Sequence, residues 1–132
     1  MTVRRINPPE LAPPTGFSHA VVAEGSTIVL LAGQTALNSE GIIVGDTIVE
    51  QFEKALNNLL TALAAAGGTP ANLGKLTIYS VDPVDYRANV REIGEVWRRL
   101  AGRDYPAMAL VGVTRLWDDT AMVEVEGIAV LP

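Results

Sequence analysis

Glu124 and Glu126 stand two apart in a segment, VEVE, whose alternation reads as a β-strand, so both carboxylates share one face. That face is a cleft wall, an interface or open solvent. Acids at this spacing are common on exposed strands, so the pair alone marks only a place where a proton can be held or moved. His19 is the chain's one histidine. With scattered acids around it, it makes a poor metal site, and its expected task is to satisfy a strand edge. The absence of cysteine removes disulfides, thiolate nucleophiles and thiolate-bound metals. No Ser-His-Asp arrangement, phosphate loop or dinucleotide fingerprint is readable, and Gly67-Gly68 stops a helix rather than cradling phosphate.

The chain has 132 residues, of which 48% are apolar, and a mean hydropathy of +0.25. That is more apolar surface than one small core needs, which points to a buried subunit interface. The formal net charge is −5, and adjacent basic residues occur only at Arg4-Arg5 and Arg98-Arg99. A phosphate-backbone binder needs clustered positive charge, so nucleic acid is not an expected partner. The first residues, MTVRRINPPELAPPTG, lack the apolar core of a signal peptide. The longest apolar run, 28–33, is far too short to span a membrane. The expectation is one soluble, cytoplasmic domain over 1–132 with no membrane partner.

The elements that must position these residues follow from pattern. Prolines between 8 and 16 make an extended lead-in. Segments 19–23 and 27–32 read as strands, and the short gap Glu24-Gly25-Ser26 predicts a hairpin between them. Thr47-Ile48-Val49-Glu50 fits a capping box. Behind it, Val49, Phe52, Leu56, Leu59, Leu60 and Leu63 recur at helical spacing up to the stop at Gly67-Gly68. Segment 73–81 alternates as a strand with Leu76, Ile78 and Ser80 on one side. Asp82-Pro83 starts a second helix, with Tyr86, Val90, Ile93, Trp97 and Leu100 as its stripe and Arg87, Arg91, Arg98 and Arg99 off it. Arg91 and Glu95 are spaced to pair weakly. Segment 105–131 reads as two long strands joined by a tight turn near Trp117, a residue expected at a cleft rim or a subunit contact. The order is β-β-α-β-α-β-β, an α+β chain with two helices on one face of a mixed sheet. A second copy is the natural cover for the other face.

With these segments placed, the chain resembles the YjgF/RidA (reactive intermediate deaminase) family. The residues that carry the resemblance are Thr15-Gly16-Phe17-Ser18-His19-Ala20, Ala32-Gly33-Gln34, Ala65-Ala66-Gly67, Tyr105-Pro106-Ala107 and Val123-Glu124-Val125-Glu126. Together they span about residues 6 to 131. The resemblance implies a chorismate-mutase-like fold and a homotrimer with an internal barrel, helices outside and ligand clefts between subunits. It implies hydrolysis of enamines and imines such as 2-aminoacrylate to keto acids and ammonia, with no metal or organic cofactor.

The resemblance also assigns roles. Glu124 falls where a glutamate helps place the attacking water. Phe17 falls where an aromatic lines the cleft, and Ala32 and Gly33 fall on the cleft wall. Val90 falls on an asparagine position and Leu110 on a cysteine position. Ala107 ends the Pro-Ala pair, after which the family carries the arginine that grips the substrate carboxylate. Here that residue is Met108. Arg115 is an odd number of residues away and points to the other face of a continuous strand, leaving Arg87, Arg91 and Arg103 dependent on tertiary placement. The site is therefore expected to be apolar, with Glu124 as its one charge, and to disfavour an acid. Three readings stay open: a binder and hydrolase of a small uncharged molecule, an imine deaminase using a displaced arginine, and a non-catalytic ligand sensor or protein-binding module. A ribonuclease role, sometimes attached to this family, fits poorly with the acidic charge.

Overall fold

The computed structural model describes residues 3–132. Its strands are β1 (Val3–Ile6), β2 (Ala20–Ala23), β3 (Thr27–Gln34), β4 (Leu73–Ser80), β5 (Ala107–Gly112) and β6 (Val123–Leu131). Its helices are α1 (Ile48–Ala65), α2 (Pro83–Ala88) and α3 (Val90–Ala101). The main sheet has the order β3-β6-β4-β5, with β4 and β5 parallel and the other neighbours antiparallel. This is the expected mixed α+β architecture, but two pairings differ from expectation.

β2 does not form a hairpin with β3; it pairs with β1, and β3 pairs with β6. Gly25 lies so close to the carbonyl of Leu131 that no Cβ fits there, so the turn is pressed against the end of β6. The chain changes sheets at that point. Nor do β5 and β6 form a hairpin, because β4 lies between them. Residues 113–122 carry the chain past the end of β4. Both ends of that connection are fixed there: Val113 N donates to Ser80 O at 2.9 Å, and Val81 N donates to Met122 O at 3.2 Å.

The local signals hold. Thr47 Oγ1 accepts from Glu50 N at 3.1 Å and starts α1, while Gly67, at φ +91°, lets the chain leave it. The second predicted helix is broken at Asn89 into α2 and α3. Asn89 Nδ2 donates to the Asp85 carbonyl at 2.9 Å and to Asp85 Oδ1 at 3.1 Å. A short amide that binds the backbone of the preceding turn competes with helix propagation.

Leu56, Leu59 and Leu63 on α1 and Ile93, Val96 and Trp97 on α3 are buried together with Leu76, Ile78, Val123 and Val125 on one sheet face. The opposite face is open. Ile28, Leu30 and Ile128 on it are 68%, 76% and 41% exposed. Among the described residues no helix is long and apolar enough to cross a membrane.

Candidate functional site

The residues singled out in the sequence fall on the two faces of the sheet. Met108 pairs with Leu76 and Leu110 with Ile78, so both side chains turn toward the helices. Phe17 is brought to them by its neighbour: Ser18 N donates to Pro106 O at 3.0 Å, and Ser18 Oγ donates to Tyr105 O at 2.7 Å. These bonds tie the proline-rich lead-in to the start of β5, and Ser18 bridges to Ala107. His19 donates from Nε2 to the Ala12 carbonyl at 2.7 Å and packs edge-on against Phe17. It satisfies the chain edge, as its isolation in the sequence implied.

Phe17, Val90, Met108 and Leu110 line one cavity of about 420 Å³ between β5 and α3. Its other walls include Trp97, stacked on Tyr105 at 5.1 Å between ring centroids, and Tyr86, edge-on to Phe52. Burial pushes the Tyr86 phenol well above its ordinary range, and the nearby Tyr105 adds to this. Arg91 and Arg98 also line the cavity. Their spacing matches that of Val90 and Trp97, one residue further round the helix, so the same periodicity that marks the apolar stripe places them at its border. Arg91 does not pair with Glu95. Arg115, in the loop after β5, is paired with Asp119 at 2.5 Å.

Glu124 lies on the other face. Across the ladder it is opposite Tyr79. A Cβ placed on Gly33 would come within 2.6 Å of Glu124 Oε1, so only glycine lets the carboxylate lie against the β3 backbone. Ala32 is exposed beside Gly33. Tyr79 donates its hydroxyl to Glu126 Oε1 at 2.5 Å, which leaves Glu124 the member of the acidic pair without a partner among the described residues. Burial first, and the Glu126 charge second, push the Glu124 carboxyl above its ordinary value of 4.5. The hydrogen bond to Glu126 similarly raises the Tyr79 phenol. A carboxylate so raised is a stronger base than a free one.

Within one chain, then, Phe17, Val90, Met108 and Leu110 form one group and Ala32, Gly33 and Glu124 another, with the sheet between them. Ala107, opposite Lys75, sits at the strand end on the Glu124 side. Among the described residues no three His, Asp or Glu side chains gather as metal ligands would.

The α+β sheet thus carries an apolar cavity beneath its edge and a raised carboxylate on its open face. The chain matches the family model described as Endoribonuclease L-PSP over residues 8–131 and belongs to that family, the YjgF/RidA proteins of the resemblance. It is 33% identical to RutC family protein UK114 of Drosophila melanogaster, covering 89% of this chain and 80% of that one. It is 30% identical to a 2-iminobutanoate/2-iminopropanoate deaminase of Capra hircus, covering 97% and 90%. The crystal structure of YyfB, a conserved Rid family protein of unknown function from Yersinia pestis, superposes with a TM-score of 0.88 at 35% identity, covering 99% and 100%.

Proposed function

We propose that the chain binds a small molecule with an apolar body in the cavity beneath β5, and that the reactive end meets Glu124 of a second copy, which catalyses hydrolysis of a C=N bond. The observation that carries this reading is the division of site residues between two sheet faces, one a formed apolar cavity and the other an uncovered surface bearing a raised carboxylate. Two copies in contact across such surfaces complete a site that neither has alone. Kinship with imine deaminases favours the same bond.

In this reading Glu124 takes a proton from water as the water oxygen adds to the imine carbon. The proton passes to the imine nitrogen and gives a carbinolamine; its hydroxyl proton then moves through Glu124 to the amine, the C–N bond breaks, and ammonia leaves as the carbonyl forms. Backbone groups around Gly33 and Ala107 supply the polar contacts. No arginine follows Pro106-Ala107, so turnover of short acidic imines is weak. The test is ammonia release from freshly generated 2-aminoacrylate. Glu124→Gln should lower the enzyme-dependent rate by about a hundredfold, the usual range for losing a general base. Met108→Arg should raise it. A rate indifferent to Glu124→Gln sinks the catalytic part.

A second reading rests on Trp117, which is 93% exposed in the loop after β5. Aromatic side chains anchor protein contacts, and a protein-binding module would use it. In that case Trp117→Ser abolishes capture of the partner without affecting ligand binding in the cavity.

A further inference from the structure

Glu124 and Glu126 leave β6 on one face, yet they are drawn in opposite directions. β6 lies between β3 and β4 in the sheet. Glu124 leans to the β3 side, where its Oε1 would stand 2.6 Å from a Cβ on Gly33. Glu126 is held on the β4 side, where the Tyr79 hydroxyl donates to its Oε1 at 2.5 Å. The register makes this a diagonal reach, because Tyr79 is paired with Glu124 and Thr77 with Glu126. Diagonal neighbours across a ladder lie within range of an aromatic side chain. The tyrosine at the position opposite Glu124 thus passes it by and takes the other acid.

Two carboxyl groups on one strand face have a simple way to relieve their repulsion, which is to hold one proton between them. Such a proton would spoil Glu124 as a base, since it must leave before the carboxylate can accept one from water. Among the described residues, Tyr79 is the group that engages Glu126. β2, β3 and β5 carry no titratable residue. The other charged residue of β4 is Lys75, opposite Ile128, and it forms no ion pair within 4.0 Å among the described residues. The bond to Glu126 also raises the Tyr79 phenol, so the hydroxyl keeps its proton and stays a donor.

We propose that Tyr79 is a positioning residue for the hydrolysis: by holding Glu126 toward β4 it keeps the two acids from sharing a proton and leaves Glu124 free as the single base. This rests on the reading above that Glu124 is the base, and adds the group that keeps that base unshared.

The experiment follows the Glu124 carboxyl carbon by NMR in the intact, 13C-labelled protein, beside the pH dependence of ammonia release from freshly generated 2-aminoacrylate. Tyr79→Phe keeps the ring, and the fold by circular dichroism, and loses only the hydroxyl. In the wild type the Glu124 carbon should titrate in one step. In Tyr79→Phe it should titrate in two, the upper about one pH unit above the wild-type midpoint, as for a coupled pair. The acid limb of the rate should rise with it, so that below the wild-type limb the variant is about tenfold slower. Adding Glu126→Gln to Tyr79→Phe removes the acid that shares the proton. It should restore the single step and return the limb to the wild-type position or below, a rescue that a merely structural role for Tyr79 does not give. A Glu124 carbon that titrates in Tyr79→Phe as in the wild type, or a limb that moves down, overturns this inference and leaves Glu124 the base. A rate indifferent to Glu124→Gln overturns the base reading instead; the carbon titration needs no turnover and decides separately whether Tyr79 keeps the acids apart.

Discussion

Glu124 lies against the Gly33 backbone and beside a second acid, and its ionisation on folding is therefore unfavourable. The sign follows from the direction of the shift. Its folded-state pKa lies above the ordinary 4.5, so the stabilising contribution of the protonated group is complete below 4.5 and is lost as pH rises through the folded value. Glu124→Gln removes that loss. The variant should equal the wild type in stability at pH below about 4.5 and exceed it near neutrality, with the gap opening between (ordinary carboxylate titration sets the lower bound). Urea unfolding across that range checks it. A Gln variant less stable than wild type at neutral pH means that the carboxylate has a partner that holds it charged. Glu124 was singled out from the sequence by resemblance, and its strand face by alternation. Its separation from Met108 was not legible, because which face each strand turns to the core depends on pairings that residue order does not specify. The arginines were visible as residues off the stripe; that Arg91 and Arg98 border the cavity follows only once α3 is docked on β5.

At the level of elements, the ends of α1 were readable because they are local: Thr47 meets Glu50 within one turn, and Gly67 supplies its own conformation. The strand pairings were not, since closing 105–131 as a hairpin and inserting β4 between its arms satisfy the same alternation. Gln51 shows what pattern hides. It interrupts the apolar face of α1, yet it is fully buried. Its Nε2 donates to Gly45 O at 3.1 Å and to Thr120 O at 3.0 Å, and its Oε1 accepts from Met122 N at 2.8 Å. One side chain thus sews the loop before α1 and the loop before β6 to the helix, and so sets where β6 begins and where Glu124 emerges. Gln51→Leu keeps the volume and orphans all three backbone groups. It should destabilise the protein by about 2–4 kcal/mol, read as a lower urea midpoint at unchanged slope. A loss well under 1 kcal/mol would show that water replaces the amide at no cost.

At the scale of the molecule, the uncovered sheet face decides whether the two half-sites ever meet. Ile28 and Leu30 on β3 and Ile128 on β6 form neighbouring pairs across the ladder, Leu30 directly opposite Ile128. With Leu30 76% exposed, the patch sits in water unless another copy covers it. Such contiguous apolar patches are rare on monomers and usual at subunit contacts. We propose that three copies close over this face. The substitution Leu30→Glu separates the possibilities. In a lone chain the glutamate stays solvated at a surface position and the fold is unaffected. In the trimer it desolvates like charges beside Glu124 and Glu126, a cost no local rearrangement offsets. The wild type should therefore run at three times the mass of its 14.0 kDa chain, and the Leu30→Glu variant at one, with unchanged circular dichroism. The variant should also lose ammonia release while keeping ligand binding in its own cavity, since Glu124 then has no neighbour to serve. A wild type that runs as a single chain, or a variant that dissociates without losing catalysis, removes the shared site and returns the chemistry to one sheet face.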